Sequence, residues 1–325
     1  MSRLALTAAA LAAAIGLAAQ ADAAFPGANG RMVFQRFDPA NGIVGFLYAA
    51  NPDGSHVVQL TSAPSFFSAW APDGTRLAYD FIDGDGNDQI AIAHPDGTGA
   101  MQLTFGPSVH EAPSFSPDGE WVVYDASPDD PAAPGFHTTL WLMRSDGTDQ
   151  HELVPGSDDF DVEPAFSPNG ASLAFIRIRK AMGRDNQQSA LFVSRSAGAG
   201  ARQLTPWGKS VESPSWAPDG SRIAYYDSAE SGGSRSIYLI RPDGTDDHVL
   251  VQGRASGQAA RPAFSPDGTK IVFSCGAHEG KPSFDIDLCV MNVDGSATVD
   301  VTNTPSSPDA PVFESRPSWG TAPLL

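Results

Sequence analysis

Apolar residues in this chain gather into short runs, and each run is closed by a turn rich in Pro, Asp and Gly. From Glu111 the pattern reads extended to Ser116, turns at Pro117-Asp-Gly119, and resumes as a second apolar strand, Glu120 to Asp125. A variable insert runs to Thr138. Thr139 to Arg144 then forms a third strand, Ser145-Asp-Gly147 a second turn, and Gln150 to Val154 a fourth strand. Pro presets φ at a turn's first central position and Gly supplies positive φ, so short apolar strands between such turns predict antiparallel hairpins.

The unit repeats. Its first turn recurs as Trp70-Ala-Pro-Asp-Gly74, Phe115-Ser-Pro-Asp-Gly119, Phe166-Ser-Pro-Asn-Gly170, Trp216-Ala-Pro-Asp-Gly220 and Phe264-Ser-Pro-Asp-Gly268, with a truncated copy at Trp319-Gly320. The aromatic-to-aromatic steps are 45, 51, 50, 48 and 55 residues. Four strands at that period predict an all-β fold, a β-propeller of four-stranded antiparallel blades. An open solenoid is the competing stack, and it needs capped ends. The tail, Arg316-Pro-Ser-Trp-Gly320, supplies the first half of a unit, and Asn29-Gly-Arg-Met-Val-Phe34 supplies the second half. Joining them predicts a closed six-bladed ring with one blade shared between the termini, which leaves no free sheet edge.

Residues 1–23 read as a secretory leader, with Arg3 at its start, an apolar Ala/Leu run from Leu4 to Ala19, and a small-residue cleavage site at Ala21-Asp-Ala23. The propeller is then expected over residues 24–325, as a monomer in the periplasm or secreted, without membrane insertion. Lys and Arg number 20 against 38 Asp and Glu, a net charge of −18 that repels nucleic acid and anionic membranes. The two cysteines, Cys275 and Cys289, end the second strand and open the third strand of one repeat. Export permits a disulfide there, and the hairpin brings the two opposite each other; two buried thiols are the alternative.

The blocks Phe264-Ser-Pro-Asp-Gly-Thr-Lys-Ile-Val-Phe273, Cys289-Val-Met-Asn-Val-Asp-Gly295 and Gln102-Leu-Thr104 resemble the repeat of the TolB-type, WD-repeat-like propeller family, also found in prolyl-oligopeptidase-type enzymes. The resemblance spans roughly residues 28–320 and implies a six-bladed propeller. TolB carries an α/β domain before its propeller, and here the leader runs almost directly into the first blade. The oligopeptidases carry a hydrolase domain with a Gly-x-Ser-x-Gly turn, a motif absent from this sequence.

If both turn sets share one face, the variable inserts and inter-blade connections share the other, where binding loops usually reside. The residues before each first turn are then expected to ring the channel mouth: Phe66, Phe67, His110, Glu111, Asp161, Glu163, Glu212, Arg261 and Arg316. Acids on three successive blades followed by arginines suit a peptide or a ligand with amine and carboxylate groups; mutual pairing of these side chains is the structural alternative. Asp83, Asp85 and Asn87 offer oxygens at alternate positions as calcium loops do, although Asp88 stands where an EF-hand has Gly and His94 where it has Glu, and Asp-Gly inserts are also ordinary hairpin turns. The seven histidines, at 56, 94, 110, 137, 151, 248 and 278, fall at different points of their repeats and form no common ring. Arg177, Arg179, Lys180 and Arg184 make the one basic cluster. No cofactor is expected, and no catalytic residue is assigned. The expected function is a binding module for a protein, a peptide or a cell-envelope component. A stand-alone hydrolase or lyase using channel-mouth carboxylates such as Asp161 and Glu163 is the alternative, and a purely structural ring is a third.

Overall fold

The computed structural model describes residues 27–37, 44–128, 136–153, 159–179, 188–228, 235–253, 259–276, 286–304 and 312–325. The expected leader at residues 1–23 lies outside them. Every regular element among the described residues is a strand, so none is a helix long and apolar enough to cross a membrane. The fold is an all-β propeller.

Four four-stranded antiparallel sheets form its blades, each running in chain order from its first strand to its fourth. The first blade holds Ser65–Trp70, Leu77–Ile82, Asp88–Ala93 and Met101–Gln102; the second holds Val109–Phe115, Trp121–Ser127, Thr139–Arg144 and His151–Glu152. The third holds Phe160–Phe166, Ser172–Ile178, Ser189–Arg195 and Arg202–Gln203; the fourth holds Val211–Trp216, Ile223–Asp227, Ser236–Ile240 and His248–Val251. The remaining strands correct the expectation of six separate four-stranded blades. Ala259–Phe264, Lys270–Gly276, Ile286–Asn292 and Val299–Asp300 join Phe313–Trp319, Met32–Phe37, Gly45–Ala50 and Val58–Gln59 in one eight-stranded sheet.

The join is a parallel pairing of Ile286 with Phe313. Val299–Asp300 covers only Cys289 and Val290 of the strand beside it, so the start of that strand keeps a free edge. Phe313–Trp319 pairs there on one side and antiparallel with Met32–Phe37 on the other, so the first and last strands among the described residues meet inside this sheet. Unpaired edges are strong templates for a strand, and this one is used.

The core is a series of seams between neighbouring sheets. Ala78, Ile90, Ile92 and Leu103 of the first blade pack with Phe115, Val122, Tyr124 and Met143 of the second. Trp121 and Val123, on the opposite face of the same strand, pack with Phe166, Leu173 and Phe175 of the third blade. Both faces of a middle strand are thus buried, which explains why Trp121–Ser127 reads as a continuous apolar run rather than an alternation. The motif aromatics Trp70, Phe115, Phe166, Trp216, Phe264 and Trp319 are all buried in these seams. Gly320 is required beside one of them, since a Cβ there would lie 2.3 Å from the Trp70 ring.

The Gln-Leu-Thr tails have a structural job. The fourth strands of three blades and of both halves of the long sheet are short, mostly of two residues, and they run out before the third strand ends. The hydroxyls of Thr61, Thr104, Thr205 and Thr302 then accept the next N–H, from Leu47, Ile90, Leu191 and Leu288 at 2.9–3.0 Å. Cys275 and Cys289 form a disulfide, and no cysteine is free.

Replacing Thr205, which is buried, by Val keeps the shape but orphans the Leu191 N–H. The expected loss is about 1–3 kcal/mol in urea unfolding, and no measurable change would refute that role.

Candidate functional site

The first strands of all the sheets surround one central cavity of about 190 Å³. Each of these strands is bulged just before its motif aromatic, for example between Glu111 and Ser114 and between Glu212 and Ser215. In five of them the bulged residue precedes a proline and sits at positive φ: Ala112 (51°), Glu163 (52°), Ser213 (53°), Arg261 (56°) and Arg316 (52°). A residue before proline normally avoids helical conformations, and a non-glycine residue at positive φ costs on the order of 1–3 kcal/mol. A bulge re-aims the side chain, and here the direction is inward.

That register decides which expected residues reach the cavity. Phe67, Glu163, Arg261 and Arg316 do, and each is the third residue before its aromatic; Ala112 and Ser213 fill the same position in the other two strands. Phe66, His110, Glu111, Asp161 and Glu212 lie one or two residues earlier and are not among the lining residues. Asp161 accepts both arms of the Arg177 guanidinium at 2.6 and 2.7 Å, and Arg177 itself lies over the Phe192 ring. Burial raises the Asp161 carboxyl and Arg177 opposes that shift. Glu212 accepts a short hydrogen bond from the Tyr226 hydroxyl. His110 packs against Tyr124 with ring centres 5.8 Å apart, and burial lowers its basicity. Arg179 lies over Trp207, while Lys180 and Arg184 fall outside the described residues, as does His278.

Around the cavity, carboxylates accept the N–H groups that the bulges expose. Asp80 Oδ1 accepts from Phe67 N at 2.8 Å, Asp125 Oδ2 from Glu163 N at 2.9 Å, and Glu163 Oε2 from Ser213 N at 2.6 Å. The last two contacts cross from the second blade to the third and from the third to the fourth. Asp80 and Asp125 were not singled out by sequence reasoning. Their signal was present, because each stands ten residues after its motif aromatic and ends an apolar run on the inward register. Both are buried, and desolvation, followed by the nearby Glu111 charge, pushes their carboxyls well above the ordinary 3.8.

The cations sit on the other side. Arg261 Nη1 donates to Ser315 Oγ at 2.7 Å, and Arg316 Nη1 to Gln35 Oε1 at 3.0 Å. The Arg316 guanidinium lies 4.2 Å over the Phe67 ring, and its buried Nε has no partner. Burial, and then the charge of Arg261, lower the Arg316 pKa, while the carboxylates of Asp80, Glu163 and Glu111 oppose that shift. In the insert at 83–87, Asp83 Oδ1 accepts the N–H groups of Asp85 and Asn87, both at 2.9 Å, which closes the turn.

The TolB beta propeller domain family matches residues 52–253. The chain belongs to that family. A TolB homologue of Chlorobium luteolum is 35% identical over 150 residues, 46% of this chain and 31% of the homologue. Dipeptidyl-peptidase 5 of Aspergillus fumigatus is 25% identical over 173 residues, 49% of this chain and 23% of the peptidase. The match thus spans about a quarter to a third of these relatives' own length. Among solved structures, TolB of Acinetobacter baumannii superposes with a TM-score of 0.69 at 22% identity, over 89% of this chain and 66% of that one. That likeness establishes the TolB-type fold.

The raised carboxyls of Asp80 and Asp125 give the propeller a definite acid response. Their folded pKa values exceed the unfolded ones, so the folded state holds extra protons between 3.8 and the elevated values. Stability therefore rises as pH falls through that window. The turn aspartates Asp96, Asp146, Asp243 and Asp294 are lowered by their Thr or Ser partners and lose their contribution only at pH below 3.8. With chelator present, the melting temperature is expected to climb from about pH 8 to about pH 5 and fall at stronger acidity, with a flatter climb in Asp125→Asn. A steady decline from pH 8 downward would contradict the assignment.

Proposed function

We propose that this protein is an exported, monomeric TolB-like propeller that binds a protein or peptide of the cell envelope at the central cavity. The observation that carries this reading is the pair of arginines, Arg261 and Arg316, facing one cavity walled by prolines and aromatics, with a buried guanidinium nitrogen of Arg316 left without a partner. Such a pair suits a carboxylate, either a chain end or an acidic side chain. A cavity of about 190 Å³ is smaller than the roughly 300–1,000 Å³ clefts that take whole small molecules, which favours an inserted chain end. The disulfide is in keeping with an oxidising compartment.

The carboxylate pair considered for hydrolase chemistry gains no support. Asp161 is committed to Arg177, and one oxygen of Glu163 is committed to the Ser213 N–H. These contacts favour the binding reading over general acid–base chemistry, which needs one protonated and one ionised group within reach of a substrate.

The test uses the mature protein as bait in an envelope extract, with the retained partner then synthesised as a free acid and as an amide. Stoichiometric binding that weakens at least about tenfold in Arg261→Ala, and on amidation or neutralisation of the contacting carboxylate, is the expected result. Equal retention by wild type and Arg261→Ala would overturn the proposal.

A further inference from the structure

The seam between the first and second blades holds a feature that peptide binding does not use. Asp80, Asp88 and Glu111 each present a carboxylate oxygen, and these oxygens all lie within 4.8 Å of one another. Asp80 stands in the middle of the second strand of the first blade, Asp88 opens the third strand of that blade, and Glu111 stands in the first strand of the second. Asp80 is fully buried. Its Oδ1 is used by the Phe67 N–H, but its Oδ2 is buried without any partner. Asp88 Oδ1 is likewise buried and unpartnered, and the Glu111 carboxylate has no hydrogen bond among the described residues. Of the nine such orphaned side-chain atoms among the described residues, four belong to Asp80, Asp88, His110 and Tyr124 at this seam.

Like charges this close cannot all stay ionised without a counter-ion. Burial pushes all three carboxyls up; the charges of Glu111 and Asp88 raise Asp80 further, that of Asp88 raises Glu111, and that of Asp83 raises Asp88. The nearest cation, Arg316, is engaged by Gln35 and Phe67 and makes no ion pair with the three. A buried carboxylate oxygen left without a partner is costly enough that such a group ordinarily meets a proton, a water or a metal.

We propose that Asp80, Asp88 and Glu111 bind a hard divalent cation, calcium in the first place, and so clamp the first blade to the second. The donors are all carboxylate oxygens, with no histidine or cysteine in the set, which selects for hard ions. Calcium takes oxygens at 2.3–2.6 Å, so oxygens on opposite sides of it stand roughly 4.6–5.2 Å apart, and three oxygens all within 4.8 Å of one another fit inside one such shell; its flexible geometry suits side chains from two blades better than the strict octahedron of magnesium. Three carboxylates can offer up to six oxygens, near calcium's usual number, with water completing the shell. This is a different site from the Asp83 turn, whose carboxylate is taken up by its own loop.

The test is isothermal titration of the chelator-treated full-length mature protein with calcium chloride, and separately with magnesium chloride, alongside melting curves. One calcium per chain, bound more tightly than magnesium and raising the melting temperature, is expected. Glu111→Gln should weaken calcium binding at least tenfold while keeping the wild-type melting temperature in chelator or exceeding it, since Glu111 holds no hydrogen bond. If that variant does not fold, Asp88→Asn is read in the same way. No calcium heat and no thermal shift, undiminished binding in Glu111→Gln, or binding lost in Asp83→Asn but kept in Glu111→Gln would each overturn the site. None of these outcomes depends on the peptide partner.

Discussion

Every sheet meets the central channel through a bulge in its first strand, and the contents of the channel follow from how that bulge is held. At Ala112, Glu163, Ser213, Arg261 and Arg316 the backbone adopts positive φ in front of a proline, a combination that an isolated peptide avoids. Proline removes one donor from the ladder, and the bulge exposes another. The protein answers with carboxylates. Asp125 takes the N–H of Glu163, and Glu163 in turn takes the N–H of Ser213, so one strained position supports the next across two seams. In the first blade Ser68 replaces the proline and Phe67 is not at positive φ, yet the bulge persists and Asp80 accepts its N–H. Asp80, Asp125 and Glu163 are therefore first of all backbone ligands.

This arrangement divides the mouth into two chemical halves. On one side, buried acids are occupied with N–H groups or crowd against one another at the seam of the first two blades. On the other, Arg261 and Arg316 hold neutral hydrogen-bond partners, Ser315 and Gln35, and feel the nearby carboxylates only through space. A ligand carboxylate and a divalent cation would serve opposite halves of the same rim, and each answers a local charge imbalance created by the fold. The residues that set these two halves come from first, second and third strands alike.

Much of this was legible in the amino-acid sequence, because turn chemistry is local. The motif glycines Gly74, Gly119, Gly170, Gly220 and Gly268 all adopt positive φ near 70°, and the aromatic of each repeat is buried as its register required. Cys275 and Cys289 do form the expected disulfide, although the hairpin register sets Cys275 opposite Asp287 and Cys289 opposite Phe273, so the bond runs diagonally across the pair of strands rather than between facing residues. The long sheet was not legible, since it arises from one backbone pairing, Ile286 with Phe313, that leaves no side-chain signature. The rim was half legible. Arg261, Glu163, Arg316 and Phe67 line the cavity, whereas His110, Asp161 and Glu212 sit one or two residues away and turn into seams, because the bulge flips which neighbour points inward. The prolines that follow the bulged residues were visible throughout and carried that register.

Hydrogen exchange resolved at single amides tests the carboxylate-held bulges most directly. The amides of Glu163 and Ser213 lie at the channel, at bulges where the strand ladder is interrupted, so only the side-chain oxygens of Asp125 and Glu163 protect them. Both should exchange as slowly as amides in the middle of the buried strand Ser172–Ile178. Exchange as fast as in an exposed turn would mean that the bulges stand without their carboxylates, and the account of the channel would fail.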